Sequence, residues 1–167
     1  MTSVLEEKLI TSYKEEVVSF LNNHPEYFEE AIQLAIADKQ PFSWRAAFLL
    51  VNCMKKNDNR VQKYINQIVE SIKTKKDGHQ RELLKILFNM EIKGKHEGKL
   101  FDVCMSLWEQ INKQPSIRIT ALKFILKIAK KHPELKEEIV YLTQDHYLEF
   151  LSPGVKKSIE RMMHEVK

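Results

Sequence analysis

Glycine and proline are scarce in this chain, four and five among 167 residues, and nearly all of them fall between apolar runs. That scarcity argues against β-rich folds and for long helices joined by short connections. Cysteine is scarcer still. Cys53 and Cys104 give no disulfide framework. Both lie inside apolar helical runs (LLVNCM, FDVCMSLW), where free cysteine behaves as a small buried hydrophobe; a reactive thiol is the other reading. No apolar run approaches the roughly 18–20 residues needed to cross a bilayer. The opening MTSVLEEKLITSYKEEV has no basic start followed by an apolar stretch, so it does not read as a signal peptide. A soluble, cytoplasmic protein with no membrane partner is the expectation.

The usual carriers of chemistry are also missing. No HExxH, paired CxxC, GxxxxGK[ST], GxSxG or GxGxxG occurs. His24, His79, His96, His132, His146 and His164 show no i,i+4 pairing, and His24 and His132 each precede a proline, so turn roles are expected of them. Trp44 and Trp108 read as core or interface residues rather than ligand platforms. The expectation is a protein with no catalytic residues, no metal and no cofactor.

What is present is a period. Arg45, Arg81 and Arg118 recur at spacings of 36 and 37 residues, each in the opening turn of an apolar helix-like run: SWRAAFLL, HQRELLKIL, SIRITALKFIL. His24-Pro25-Glu26 returns as His132-Pro133-Glu134 after 108 residues, three periods of 36. A fixed period in this range marks stacked repeats rather than a closed globule.

The apolar spacing fills in the elements. A helix is predicted over 3–22, with Leu5, Leu9, Ile10, Tyr13, Val17 and Leu21 on one face. Helices over 25–37 and 43–56 follow. Asp58 is a candidate N-cap for a helix carrying Val61, Tyr64, Ile65, Ile68, Val69 and Ile72, the cleanest helical pattern in the chain. Further helices are expected over 80–92, 100–111, 116–131, 133–146 and 155–166, with Gly94 and Gly98 bracketing a connection. The sum is about nine helices in a single domain, 1–167: an N-terminal helix and pairs at about 25–57, 58–95, 97–132 and 133–167.

These residues resemble a HEAT-type, armadillo-like repeat, in which an amphipathic first helix and a short turn lead to a second helix opening with an arginine and small residues. NKQPSIRITALKFILKIAKKHPEL is most similar, DKQPFSWRAAFLLVN is good, KKDGHQRELLKIL is fair, and SPGVKKSIERMM carries Lys156 at the arginine position. The resemblance implies an all-α, right-handed α-solenoid of about four such pairs plus the N-terminal helix. It also implies that the three arginines bond to neighbouring turns. More distantly, the chain is similar to the HEAT-like alkylpurine DNA glycosylases, which cradle duplex DNA and use an aspartate on the groove-lining helices. Here those helices carry no aspartate in their interiors, and the chain is shorter than a full enzyme of that type, so binding is expected without catalysis.

Charge divides by layer. The second helices and their ends (43–57, 78–95, 115–132, 153–167) hold 16 Lys and Arg against four acids, about +12. The first helices (25–40, 58–76, 97–113, 133–149) hold nine against 14, about −5. The resemblance places second helices on the concave face, which implies a basic groove. Helical phasing names its members as Arg45, Asn52 and Lys56; Lys85, Asn89 and Lys93, with Glu82; Lys123, Lys127 and Lys131, with Thr120; and Lys157 and Arg161, with His164 a further candidate. Lysines near helix C-termini also suit the macrodipole, so a functional strip and a solvated face both stand. The reading is a non-enzymatic scaffold that recognises an acidic protein or peptide partner. Nucleic-acid binding is the alternative, because basic charge attracts both; Phe48 is the only aromatic near the first stripe. The partner's identity and the oligomeric state are not legible.

Overall fold

Ser3 opens the first helix, its hydroxyl accepting the backbone N–H of Glu6 at 3.1 Å. In the computed structural model, which describes residues 1–166, α1 (Val4–Thr11) is followed by a separate α2 (Lys14–Asn23). The continuous helix expected over 3–22 breaks because Ser12 and Tyr13 are extended. Thr11 turns its hydroxyl back to the carbonyl of Glu7 at 2.8 Å, and Glu15 and Glu16 fall in the first turn of a new helix, where the positive helix end favours them. Leu5 and Leu9 are buried on one side of the break and Val17 and Leu21 on the other, while Ile10 and Tyr13 are exposed.

The remaining helices of the first compact unit, Met1–Lys93, are α3 (Phe28–Ile36), α4 (Phe42–Cys53), the single turn α5 (Asn59–Gln62), α6 (Ile65–Ile72) and α7 (Asp77–Phe88). Asp58 is the N-cap that the sequence suggests, accepting the Arg60 backbone N–H at 3.0 Å. The helix after it breaks at Lys63–Tyr64, where the Tyr64 hydroxyl donates to Glu29 of α3. Central in this unit is α4, packed against α1, α2, α3 and α7. Ala46 and Ala47 are fully buried there, and residues this small let neighbouring helices approach closely.

In the second unit, Gly94–Lys167, α8 (Lys95–Glu109), α9 (Pro115–Lys131), α10 (Lys136–Leu142), α11 (Asp145–Leu148) and α12 (Pro153–His164) follow in order. Gly98 does not bracket a connection: α8 begins at Lys95, just after Gly94 at φ +61°. The helix expected over 133–146 breaks after Leu142, where the Thr143 hydroxyl bonds the Val140 carbonyl at 3.1 Å. With this break and the two in the first unit, the nine expected helices become twelve among the described residues. Here α9 is central, packed against α8, α10 and α12, and buries Ile117, Ala121, Leu122, Ile125 and Ile128.

The sequence echo is a structural one. His24 and His132 have the same backbone setting (φ −129° in both, ψ 66° and 80°), and each leads into one turn of 3₁₀ helix, Pro25–Tyr27 and Pro133–Leu135. The imidazole Nδ1 lies 3.3 Å from Glu26 in the first and 3.5 Å from Glu134 in the second. Thus α2 stands before its His-Pro-Glu as α9 stands before the other.

Candidate functional site

Two of the three periodic arginines bond carbonyls at the end of a neighbouring helix. Arg118 is fully buried; Nε donates to the Trp108 carbonyl at 3.0 Å and Nη2 to the Tyr147 carbonyl at 2.6 Å. Its guanidinium lies 4.4 Å from the Trp108 ring centroid, and burial pushes its pKa down. Helix C-termini leave carbonyls without intrahelical partners, and Trp108 lies in the last turn of α8. Arg45 does the same for α1, its Nη1 donating to Leu9 at 2.8 Å. Arg81 donates through Nε and Nη2 to Glu82, both at 3.2 Å.

Glu82 departs from the expected stripe. It is 1 % exposed, lying beneath Arg81 and within 3.5 Å of Lys85 Nζ. The face of α7 open to solvent runs through Arg81, Lys85 and Phe88 instead. One residue separates the two phasings, and packing of α7 against α4 and α6 decides between them. Lys85 is exposed, as are Asn52 and Lys56, but Lys56, Asn89 and Lys93 lie beyond the ends of their helices. Asn52 returns its amide to the Phe48 carbonyl at 2.8 Å. Asn89 is half-buried and its carbonyl accepts the Asn57 N–H at 2.6 Å, tying two loops together.

The expected stripe of α9 is the one that emerges from the core. Lys123, Lys127 and Lys131 are exposed, with Thr120 half-buried beside them. Lys131 is engaged by Glu97 of α8 at 2.8 Å, and His132 Nε2 meets the other oxygen of the same carboxylate at 2.8 Å. Burial raises the pKa of Glu97, but the bonds from Lys131 and His132 outweigh it and hold the carboxyl below its ordinary range. Lys157, Arg161 and His164 are exposed on α12, which packs against α9. Lys123, Lys127, Lys157 and Arg161 therefore occupy adjoining helices of the second unit, whereas Lys85 belongs to the first.

Two of the clefts among the described residues lie in the first unit. The larger, about 510 Å³, is bounded by Lys55, Lys56, Asp58 and Arg60. Its charges are largely internal: Arg60 clasps Asp58 at 3.0 and 2.8 Å and stacks 3.5 Å above Phe28. Arg60 pulls the Asp58 pKa down to about 2. Burial pushes the neighbouring Cys53 thiol up to about 11, so it is protonated and unreactive at neutral pH. Cys104, fully buried, is pushed up as well.

The smaller cleft, about 310 Å³, lies where α1 and α2 part and face α4. Leu9, Val17 and Leu49 form its buried floor, and Tyr13, Trp44 and Phe48 form its walls. Trp44 and Phe48 stack with centroids 6.1 Å apart. Lys14 Nζ stands 5.4 Å from the Phe48 centroid. Sequence reasoning missed this feature because Tyr13 fits the apolar face of an unbroken helix and Trp44 reads equally as a core or an interface residue. Trp108 is core, with its indole N–H donated to Leu142 at 2.8 Å; Trp44 is 37 % exposed.

Among the described residues no group of three or more His, Cys, Asp or Glu side chains could hold a metal ion. No helix among them is long and apolar enough to cross a membrane. A family model described as HEAT repeat domain matches residues 1–166. Neither a curated protein nor a solved structure matches the chain.

Proposed function

Because the chain belongs to the HEAT repeat family, whose helical repeats serve as protein-binding scaffolds, we propose that it is a scaffold recognising an acidic segment of a partner protein through its second helices. The observation that carries this reading is the surface of α9. After its exposed first turn at Pro115 and Ser116, that helix exposes only Lys123, Lys127, Lys130 and Lys131, with Ile119 and Thr120 half-buried and no acid among them. A surface under no other demand mixes charge signs. Lys157 and Arg161 on the adjoining α12 extend the row, while Lys131 is already held by Glu97 at 2.8 Å and Lys130 stands 3.8 Å from Glu165, so both contribute less. Arg45 and Asn89 act through structural bonds first. In the first unit, Asn52, Lys56, Lys85 and Lys93 supply a more scattered basic surface.

The reading contains no catalytic step, metal or cofactor, and it places the protein in the cytoplasm. Release of alkylated purines from damaged duplex DNA, by protein free of host glycosylases, would overturn the first part; recovery of the native protein in a membrane or secreted fraction would overturn the last. Architecturally, the helix hairpins within each unit are taken to wind right-handed, with α1 and α2 as a short additional pair. A crystal structure showing the opposite winding would refute that.

The test is capture of partners from native lysate, with and without nuclease, by the full chain and by a Lys123→Glu/Lys157→Glu variant. Surface charge acts mainly on association and its salt dependence. Capture that survives nuclease and is lost on reversal, with an unchanged melting temperature, is the expected result. Capture that requires nucleic acid, with affinity falling steeply in salt, would replace the reading by nucleic-acid binding. Full capture by the reversed variant would move the binding surface elsewhere.

A further inference from the structure

We propose that the cleft between α1, α2 and α4 is a docking pocket for a short acidic segment of another protein. It would seat one aromatic or branched aliphatic side chain on its floor and the adjoining carboxylate at Arg45 and Lys14. This rests on the protein-binding reading above but not on the lysine row of the second unit.

The pocket owes its existence to the break at Ser12–Tyr13. An unbroken helix would keep one apolar stripe closed against α4; instead two extended residues separate Leu9 from Val17, and the gap opens onto Leu49. Tyr13 remains 80 % exposed at its mouth. At about 310 Å³ the cleft is at the small end of ligand sites, a size suited to an anchoring side chain rather than a large cofactor. Tryptophan, tyrosine and arginine together are the residues that concentrate binding energy at protein interfaces.

Charge complementarity names the occupant. Arg45 is fixed by its bond to the Leu9 carbonyl at 2.8 Å, yet Nε and Nη2 have no partner among the described residues. It differs here from its periodic relatives, since Arg81 is turned onto Glu82 and Arg118 is consumed by carbonyls in the core. A guanidinium already held in place loses little freedom when it binds a carboxylate, and its fork suits that group. Lys14 projects over Phe48 and makes no ion pair among the described residues. The Trp44 indole N–H has no acceptor among them either. The charged groups of the rim are therefore both cations, and no carboxylate lines the cleft. Glu15 and Glu16 follow Lys14 directly on α2. They would repel a polyanion such as a nucleic-acid strand, but a segment offering a single local carboxylate is compatible with them.

The full chain panned against a random displayed-peptide library should enrich sequences that set Phe, Leu or Trp beside Asp or Glu. Binding of an enriched peptide should change Trp44 fluorescence, since Trp108 is buried. Affinity should fall by about tenfold or more in Lys14→Glu and in Phe48→Ser, and likewise when the peptide's acid is replaced by its amide. Lys14→Glu sits in the first turn of α2, where a negative charge suits the helix end, so its melting temperature is expected to hold. The Lys123→Glu/Lys157→Glu variant should bind the peptide normally, which separates failure of this pocket from failure of the lysine row. Enrichment of peptides lacking the acid or the anchor, unchanged affinity in Lys14→Glu, or displacement of the peptide by oligothymidylate would each overturn the proposal.

Discussion

His79 illustrates how much one buried side chain can do. It is 3 % exposed, its Nε2 donates to the Ala35 carbonyl at 2.7 Å, and Nδ1 accepts from Gln40 at 3.2 Å. It therefore ties the start of α7 to the turn between α3 and α4 as a neutral ring. Desolvation lowers its pKa below the ordinary 6.5 despite the Ala35 bond. The unfolded chain thus takes up a proton near pH 6.5 that the folded chain resists, and unfolding binds a proton below that value. Stability from this group is full above pH 6.5 and declines as the pH falls toward the folded value. Urea midpoints measured across that range should show the slope, and His79→Gln should flatten it. Arg118→Ala is expected to be severe, since it leaves the Trp108 and Tyr147 carbonyls unpaired in the core. A loss of about 3 kcal/mol or more should appear in denaturant unfolding. Arg45→Ala, at a half-exposed site with one such bond, should lose roughly 1 kcal/mol.

Among the elements, breaks and caps decide what is presented. The His-Pro-Glu turns, the Asp58 cap and the position of α9 were legible, because each depends on residues adjacent in sequence. Breaks inside α-helical patterns were not, since Ser12–Tyr13, Lys63–Tyr64 and Thr143–Gln144 interrupt runs whose apolar spacing is acceptable for a continuous helix. Two glycines give a check on element boundaries. Gly94, at φ +61°, stands before α8 in a conformation costly to other residues. Gly98, inside the first turns of α8, has open space where a Cβ would go. Alanine should therefore destabilise the protein at Gly94 by about 1 kcal/mol and stabilise it at Gly98 by roughly half that. Thermal melts of the two variants should move in opposite directions. Equal shifts would mean that α8 does not start where the structure has it.

For the molecule as a whole, each unit depends on helices that cannot bury their apolar faces alone. Truncation before Pro133 removes α10, α11 and α12, and with them the Leu142 carbonyl that accepts from Trp108 and the Tyr147 carbonyl that accepts from Arg118. The shortened chain should melt lower than the full chain, and Trp108 emission should shift to the red; an unchanged melt would mean that these helices lend α9 no support. The chain's own pattern is enough to specify an all-helical repeat protein, because the period of the arginines and the 3.6-residue apolar spacing depend on no tertiary contact. It also sets Lys123, Lys127 and Lys131 on one face of α9, since steps of four residues keep side chains in one helical phase. It takes packing between helices to put Glu82 inside while Arg81 stays at the surface, because neighbouring positions on α7 are separated by contact with α4 and α6. Packing also holds Arg45 beside an aromatic cleft. That juxtaposition joins Leu9, Tyr13 and Lys14 to Trp44, Arg45 and Phe48, residues brought together by the packing of α1 and α2 against α4 and by no local pattern.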